Sequence, residues 1–486
     1  MGAPLAFLLC GVAIAGLFFL DRDKSVRTSI ALWLPVAWLW LAGSRSVSSW
    51  LGVAGPSSGD ILGSTLDGSP LDAAVYEALI VSGIIVLFQR KRKTNALLKA
   101  SGPVVIYFLY CLMSTAWSPY HGPSFKRWIK AVGDLVMVLI VMTDAHPIVA
   151  LRRLYSRVGF ILLPLSVVLI RYTDLGRAFD PEGTPMNTGV TTNKNTLGLM
   201  LFVVSLGAFW NVRALFLDKQ APSRTRRLVA QATLLACGIA LLQMAHSATS
   251  VFCFVLGAGL ILASGLRAIR KRPSRVHALC LGILIVGALT VSFGGGSAVT
   301  STMGRSSDFS GRIDIWKAAI AAADSPLLGT GFESFWNTNA HKVAHILRNY
   351  WNVSNLNSAH NGYLQIYLDL GWVGVCLLST IIVSGYLRAV KAFKRNGQLG
   401  CLTLAYIVTC AFYSITEAGF RILTPSWIFL LLAVTGATSV NIGLLGGEKA
   451  KMPAPRASEG PGSVAVAESI PKEQFAYAGR RSFELS

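Results

Sequence analysis

The sequence predicts an all-α integral membrane protein, a polytopic bundle of about 12–13 transmembrane helices with one long external loop. Hydrophobic residues make up 53% of the chain and charged residues only 14%, whereas a soluble globular chain carries about a quarter charged residues. The mean hydropathy is +0.54. Apolar runs of spanning length, or slightly shorter, recur throughout the chain. These observations exclude a soluble globular enzyme.

The apolar runs define thirteen candidate spans. The first shows no convincing cleavage site, so we predict that it is retained and is not a signal peptide. The alternative is that this first segment is peripheral and does not span the membrane. Two others are short. The spans are 4–20, 29–43, 73–89, 103–118, 131–146, 157–171, 195–212, 228–245, 250–266, 276–293, 363–387, 401–416 and 426–445.

Charge predicts the orientation of these spans. Of the 44 Lys and Arg residues, 31 lie in one set of connections: 21–28, 90–99, 150–157, 213–227, 267–275, 388–400 and the tail from 446. The positive-inside rule makes this set cytoplasmic, and the net charge of +21 then reflects topology and attraction to anionic lipid headgroups. A nucleic-acid partner is not predicted, because the basic residues are scattered over short loops and form no single patch.

The orientation divides the chain into four regions. Residues 1–293 would hold ten helices, 294–361 a large external loop with short helices, and 362–446 the C-terminal helices, while 447–486 would be a disordered cytoplasmic tail. The eight cysteines fall within or beside apolar spans without a Cys-x-x-Cys pair, so neither a disulfide framework nor a zinc site is predicted.

His360 begins the segment that is best suited to carry out a chemical reaction. It follows the long external loop at the edge of a span, where an imidazole can accept or donate a proton near neutral pH; the alternative is a histidine that anchors the helix in the headgroup region. On a regular helix starting here, Gly371 and Gly374 share its face and Asp369 lies opposite. We therefore predict that the glycines pack against another helix and that Asp369 is not the partner of His360.

The external loop contains two further motifs. Gly311-Arg312-Ile-Asp-Ile-Trp316 is typical of a short amphipathic helix with Arg312 and Trp316 on one face. A guanidinium suits a phosphate group and an indole a sugar ring, although interfacial anchoring explains the same pair. Pro326-Leu-Leu-Gly329-Thr-Gly331 predicts a turn, and no Lys-Ser/Thr follows, so nucleotide binding is not predicted.

The pattern His360-Asn361-x9-Gly371-x2-Gly374 is similar to the hallmark of the O-antigen ligase and polysaccharide polymerase family. The Gly311-Arg312-x3-Trp316 and Pro326-x2-Gly329-x-Gly331 motifs match that family in order and spacing. The resemblance is strongest over about 300–375. The string Thr191-Thr-Asn-Lys194-Asn-x2-Gly198 resembles the exopolysaccharide polymerase branch.

The resemblance implies a GT-C-like membrane glycosyltransferase on the periplasmic face of the bacterial inner membrane. Its donor would be a saccharide on undecaprenyl diphosphate, its acceptor a glycan or a lipid-linked saccharide, and transfer would invert the anomeric centre without a metal or cofactor. His360 would activate or orient the acceptor hydroxyl, and Arg312 would bind the donor diphosphate. Polysaccharide export and chain-length-control proteins are the candidate protein partners.

One feature departs from the family pattern. Many ligases carry an arginine soon after a serine near the start of a middle span, whereas this chain reads His246-Ser-Ala-Thr-Ser250 there. The remaining candidates for substrate contact are Trp316, Asn361, Arg171, Arg177, Lys194 and Glu333. Snorkelling explains the two arginines 171 and 177 equally well, and a solvated loop acid is the alternative for Glu333.

Three functions stay open at this point. A polymerase that joins repeat units is preferred over a ligase that attaches glycan to lipid A core, because the expected ligase arginine is missing. The third is a transporter or flippase for a lipid-linked saccharide. Transporters tend to carry internal repeats and polar groups at the membrane midplane, whereas here the polar residues gather at the predicted external end.

Overall fold

The computed structural model describes residues 2–53, 69–179, 183–264, 266, 277–278, 282, 308–347 and 357–444, with the side chains of 308–311 left out. This part of the chain is almost entirely helical, as predicted. The predicted tail 447–486 and the predicted span 276–293 lie outside or almost outside the described residues, so the four-region division stays a prediction.

Sixteen helices and two strands are described, together with single-turn 3-10 helices at Ile30–Leu32 and Asp174–Gly176. In chain order the longer elements are α1 Ala3–Leu20, α2 Trp33–Ala42, α3 Val47–Trp50, α4 Pro70–Gln89, α5 Lys91–Ala100, α6 Gly102–Ser114, α7 His121–Met142, α8 Pro147–Tyr172, β1 Arg177–Phe179, β2 Pro185–Asn187, α9 Lys194–Leu217, α10 Arg224–Ala245, α11 Ala248–Ala263, α12 Asp308–Ala321, α13 Phe335–Ile346, α14 Gly362–Arg395, α15 Gly397–Thr416 and α16 Pro425–Asn441. The strands pair antiparallel.

Every predicted span other than 276–293 coincides with one of these helices. Seven are long and apolar enough to cross a membrane, or eight when α5 and α6, bent by 86° at their junction, count as one. The apolar helices Ile30–Ala42, α11 and α16 are shorter. The protein is therefore an all-α, multi-pass membrane protein. Some of its apolar helices are bent or short, which explains why the sequence predicts more spans than there are helices long enough to cross a membrane.

Helix α7 is less apolar than a simple span because it carries buried charges. Arg127 and Asp134 are both fully buried. Asp134 accepts hydrogen bonds from Trp38 Nε1 at 2.8 Å and from the backbone N–H of Leu423 at 3.1 Å. Burying a carboxylate is costly unless it is hydrogen-bonded, so these contacts fix α7 against the loop between α15 and α16.

The turn around Gly329 and Gly331, in the region predicted to be external, docks into a break in α14. Gly371 has φ 63° and ψ −167° inside this helix. The backbone N–H of Gly331 donates to the carbonyl of Asp369 at 2.8 Å, and that of Trp372 donates to the carbonyl of Pro326 at 2.9 Å. A Cβ on Gly371 would lie 2.2 Å from Leu327 O, so only glycine suits this position. The two glycine motifs of the sequence thus form one joint.

This joint corrects the prediction of a regular helix running from His360. Helix α14 starts at Gly362, and His360 precedes it in the left-handed region with φ 46°. The break at Gly371 then removes the common face assumed for His360 and the glycines. A Cβ on Gly374 would lie 2.3 Å from Leu370 Cβ and 3.3 Å from Ile366 Cγ2 of the same helix, and the packing of Gly374 against another helix stays a prediction.

The connections meet at two ends of the bundle. At one end, Arg45 Nη2 donates to the carbonyl of Leu175 at 2.5 Å, and Ser118 Oγ lies 2.7 Å from Ser334 Oγ. At the other end, Arg152 Nη2 donates to Gln398 Oε1 at 2.9 Å. The first group lies in, or at the edge of, connections outside the basic set, and the second lies in connections of the basic set, which are predicted to be cytoplasmic.

Candidate functional site

Three side chains from three segments converge on the carboxylate of Glu417. Glu417 Oε1 accepts hydrogen bonds from Arg312 Nη2 at 3.1 Å and from Asn195 Nδ2 at 3.0 Å. His360 Nδ1 lies 3.4 Å from Glu417 Oε2. We call these residues, Glu417, Arg312, His360 and Asn195, the Glu417 cluster. It combines a carboxylate, a guanidinium, an imidazole and a carboxamide, which are separated by up to 222 positions in the sequence.

Helix ends hold these side chains in place. Glu417 follows the last residue of α15, and Asn195 lies in the first turn of α9, where Asn193 caps the helix by accepting from the backbone N–H of Asn195. Arg312 lies on α12 and donates a second hydrogen bond, from Nη1 to the carbonyl of Thr416 at 2.6 Å. The bidentate anchoring fixes its guanidinium relative to the end of α15.

Two residues predicted to bind substrate hold the backbone beside His360. Trp316 Nε1 donates to the carbonyl of Ala359 at 2.7 Å. Asn361 Oδ1 accepts from the backbone N–H groups of Tyr363 and Leu364, both at 3.0 Å, as the N-cap of α14. These bonds flank the left-handed backbone of His360, which a non-glycine residue adopts only at a cost. In the structure Trp316 and Asn361 therefore act on the position of His360.

The electrostatics of the cluster suit proton transfer at the imidazole. The Glu417 side chain is 12% exposed and that of His360 39% exposed, so a largely buried carboxylate faces one nitrogen of a solvent-accessible ring. A carboxylate favours the tautomer with the proton on Nδ1. Nε2 then has the free lone pair, and it is the atom that can accept a proton from a substrate hydroxyl.

A second ion pair lies in the same loops. Arg421 donates from Nε to Glu333 Oε2 at 3.0 Å and from Nη1 to the carbonyl of Asn357 at 3.1 Å. Its Nη2 lies 2.9 Å from Glu333 Oε2, and Arg127 Nη1 donates to the carbonyl of Glu333 at 2.5 Å. Burial lowers the pKa of Arg421, but the Glu333 carboxylate more than offsets this, so the pKa lies above its usual value.

Glu333 is buried and ion-paired, and its contact with substrate stays a prediction. Its residue exposure is 6%, so a solvated loop acid is wrong. The structure uses its carboxylate to hold Arg421 and the backbone N–H of Ile422, which lies 3.4 Å from Oε1. Its backbone is left-handed, with φ 51°. These contacts tie the turn after Gly331 to the loop between α15 and α16.

Asp369 holds the start of α13 next to this ion pair. Its Oδ1 accepts from the backbone N–H groups of Ser334 and Phe335 at 3.0 and 2.9 Å, and its Oδ2 accepts from Gln365 Nε2 at 2.8 Å. A carboxylate at the start of a helix is favoured by the helix dipole. Asp369 thus anchors α13, and the prediction that it does not partner His360 is confirmed.

The three other basic candidates do not reach the Glu417 carboxylate in the described part of the chain. Arg171 is an exposed residue near the end of α8. Arg177 donates from Nε to the carbonyl of Ile170 at 2.8 Å and so holds the strand pair against α8. Lys194 is the first residue of α9, next to Asn195. The structure instead places Arg421 four positions after Glu417, in the loop that joins α15 and α16.

Sequence reasoning missed Glu417, Asn195, Arg421 and Arg127 as site residues. A signal existed for Glu417 and Arg421: both lie in the short connection between the predicted spans 401–416 and 426–445, which is outside the basic set predicted to be cytoplasmic. Asn195 belongs to the asparagine-rich string before α9. The departure at His246–Ser250 also adjoins the cluster, since Thr249 Oγ1 lies 3.1 Å from Thr416 Oγ1.

Two comparisons with known proteins bear on this site. The family model described as O-antigen ligase matches residues 232–379, which include Arg312 and His360 but end before Glu417. The exopolysaccharide production protein ExoQ of Rhizobium meliloti strain 1021 is 25% identical over 347 residues, 69% of this chain and 77% of that protein. Together with the motifs around His360, these matches show that this multi-pass membrane protein is similar to the O-antigen ligase and polysaccharide polymerase family.

Proposed function

We propose that this protein is an inverting, metal-independent glycosyltransferase that polymerises undecaprenyl-diphosphate-linked oligosaccharide units on the periplasmic face of the bacterial inner membrane. The observation that carries the proposal is the convergence of Arg312, His360 and Asn195 on the Glu417 carboxylate at one end of the bundle. The name of the ExoQ relative, an exopolysaccharide production protein, supports a polymerase.

The donor side of the reaction falls to Arg312. The guanidinium plane presents a fork of donors that matches phosphate oxygens, and Glu417 and Thr416 preset its orientation. As the bond between the anomeric carbon and the diphosphate oxygen breaks, its electron pair goes to that oxygen. A fixed positive charge stabilises the departing diphosphate without reorganising during the reaction.

The acceptor side falls to His360. Nε2 takes the proton of the attacking hydroxyl, which turns the ring into an imidazolium. Glu417 stabilises this cation through its contact with Nδ1. The hydroxyl oxygen bonds to the anomeric carbon from the face opposite the diphosphate, and this single displacement inverts the configuration. General-base assistance of this kind contributes roughly 10²–10⁴-fold to the rate, which is sufficient when the leaving group already departs well.

The charge of the loops supports the proposed orientation. The connections at the end opposite the Glu417 cluster belong to the set that holds most of the Lys and Arg residues, and such connections face the cytoplasm. The Glu417 cluster would then face the periplasm. We propose accordingly that residues 294–361 are periplasmic and that the tail 447–486 is cytoplasmic.

A ligase that transfers glycan to lipid A core is the second candidate. The description of the matching family as O-antigen ligase favours it directly. Both reactions break the same donor bond and need the same cluster, so they differ in the acceptor. Arg171, which is exposed, and Lys194, which is half-buried and next to Asn195, are residues that we propose contact the substrate around the cluster.

Transfer in proteoliposomes tests the proposal. Undecaprenyl-diphosphate-linked repeat units would be supplied to wild type, His360→Ala and Arg312→Ala, with His341→Ala and Lys317→Ala as matched controls, since both controls remove exposed residues of the same region. We expect long lipid-linked chains from wild type and controls, and a loss of about 10²–10⁴-fold in His360→Ala. Undiminished elongation in both site variants would refute the site, and transfer only to added lipid A core would identify a ligase.

A further inference from the structure

A basic cavity lies at the end of the bundle opposite the Glu417 cluster. Its volume is about 930 Å³, and it is enclosed by the end of α1, the following turn, the start of α2 and the first half of α8. Arg152, beside this cavity, contacts Gln398 near the start of α15, whereas Glu417 follows the end of that helix. The 19 positions between Gln398 and Glu417 correspond to about 28 Å of helix.

Positive charge dominates the lining. The cationic residues are Arg22, Lys24, Arg27, Arg153 and Arg157, and the two acidic residues are Asp21 and Asp23. Both carboxylates are engaged: Asp23 Oδ2 pairs with Arg227 Nη1 at 3.0 Å, and Asp21 Oδ1 accepts from Gln231 Nε2 at 2.9 Å. The cavity therefore keeps an excess of positive charge after its own acids are paired.

The cations have separate tasks. Arg153 shapes the wall, because it donates to Thr28 Oγ1 at 2.8 Å and to the carbonyls of Asp23 and Val26 at 3.0 and 2.5 Å. Arg157 stacks on Trp33, with its guanidinium carbon 4.4 Å from the ring centroid. No carboxylate of the described residues lies within 4.0 Å of Arg157, and the same holds for the exposed Arg22, Lys24 and Arg27.

Apolar side chains form the other wall. Phe18 stacks on Trp33 at 6.1 Å and contacts Phe160 edge-on at 5.6 Å. Ile30 is 88% exposed and Phe19 is 63% exposed. If α1 and α8 cross the membrane, these exposed apolar residues, at the end of α1 and just before α2, would lie near the boundary of the hydrocarbon. One wall of the cavity is thus cationic, which suits a phosphate group, and the other is apolar, which suits a lipid chain.

We propose that this cavity binds the phosphate headgroup of an anionic phospholipid from the leaflet at this end of the bundle. Arg22, Arg27 and Arg157 would hold the phosphate, and one acyl chain would lie against Phe18 and Ile30. A free anion would leave the apolar edge unused, so the lipid is the occupant that matches both walls. The bound lipid would fasten α1, which is largely exposed, to α8. The inference does not depend on the proposed reaction.

Native mass spectrometry of delipidated protein in neutral detergent tests the proposal. Phosphatidylglycerol and phosphatidylcholine would be titrated against wild type, Arg27→Gln and Arg22→Gln/Arg27→Gln/Arg157→Gln, with Lys91→Gln/Arg92→Gln as a control that removes exposed cations from α5. We expect wild type and control to prefer phosphatidylglycerol. Each cation removed from the cavity should weaken its binding about fivefold, which corresponds to about 1 kcal/mol.

Arg27 is exposed, so Arg27→Gln reports on binding even if the triple variant fails to fold. Equal affinity of wild type for the two lipids, or unchanged binding in Arg27→Gln, would overturn the proposal. Displacement of phosphatidylglycerol by millimolar inorganic phosphate would show a soluble anion as the occupant and would overturn the lipid assignment. Resistance to phosphate together with the graded loss would support it.

Discussion

The two ends of the bundle arrange charge in opposite ways. At the Glu417 end, Arg312 and Arg421 each hold a carboxylate at about 3 Å, and these side chains are largely buried. At the cavity end, Arg22 and Arg27 are exposed and have no described carboxylate partner. Removing a charge from water is costly unless it is paired, so the first arrangement needs internal partners and the second leaves room for an external one.

The difference separates two kinds of function. A catalytic group must be held in one geometry, and the ion pairs, left-handed backbone and helix ends around Glu417 do this before substrate arrives. A lipid headgroup is mobile and is attracted by a field that several exposed cations share. The basic residues, which give the chain a net charge of +21, therefore have different functions at the two ends. The effects of substitutions at the two ends should accordingly differ in size.

Breaking the Glu333–Arg421 pair should give the largest loss of stability. In Arg421→Met the Glu333 carboxylate stays buried without its cation, and we expect the free energy of unfolding to fall by about 3–5 kcal/mol. Equilibrium unfolding in mixed detergent micelles measures this. The matched variant Glu333→Gln/Arg421→Met removes both charges and should recover most of the loss. An equal loss in both variants would show that packing, not the unpaired charge, dominates.

The glycine joint should be the next most sensitive feature. Gly371→Ala forces a side chain into a conformation that only glycine readily adopts, which costs roughly 1–3 kcal/mol before any clash, and its Cβ would meet Leu327 O. The control Gly259→Ala introduces a methyl group where nothing lies within 4 Å. The melting temperature in detergent should fall for the first and not for the second. Equal melting temperatures would mean that the joint relaxes freely.

The sequence was sufficient to predict the fold class because each membrane span is a continuous apolar run of about 20 residues, which can be recognised without tertiary information. It also supplied His360, Arg312 and both glycine motifs, since these are close in sequence. It failed at their assembly. The break at Gly371 depends on the carbonyl of Leu327 entering from another segment, and the periodicity of α14 contains no sign of it.

The central carboxylate of the site was missed for a related reason. Glu417 is a single acid after a span, and a single acid there is compatible with an ordinary loop. Its meaning comes from Asn195 and Arg312, which are 222 and 105 positions away. Glu333 shows the converse: its loop composition predicted exposure, whereas tertiary contacts with Arg421 bury it.

Neutralising Glu417 should reduce turnover by about 10–100-fold, the range typical of a partner that orients a functional histidine. Glu417→Gln keeps an acceptor for Asn195 but removes the charge behind His360. We expect the change in kcat, with KM for the donor moving less, and partial recovery in Glu417→Asp. In His360→Ala the further substitution Glu417→Gln should cost less than it does in wild type, because only its effect through Arg312 remains. Fully additive losses would separate the two residues functionally.

The smallest effect is expected at the cavity end. Arg157→Gln removes a guanidinium stacked on Trp33, a contact worth about 0.5–1 kcal/mol, but leaves no buried carboxylate unpaired. In neutral detergent the free energy of unfolding should therefore fall by about 0.5–1 kcal/mol, several times less than in Arg421→Met. In micelles that contain phosphatidylglycerol the difference from wild type should widen, because only wild type gains the full stabilisation of the bound lipid. A loss as large as that of Arg421→Met without lipid would mean that Arg157 is a structural charge, and the contrast between the two ends would disappear.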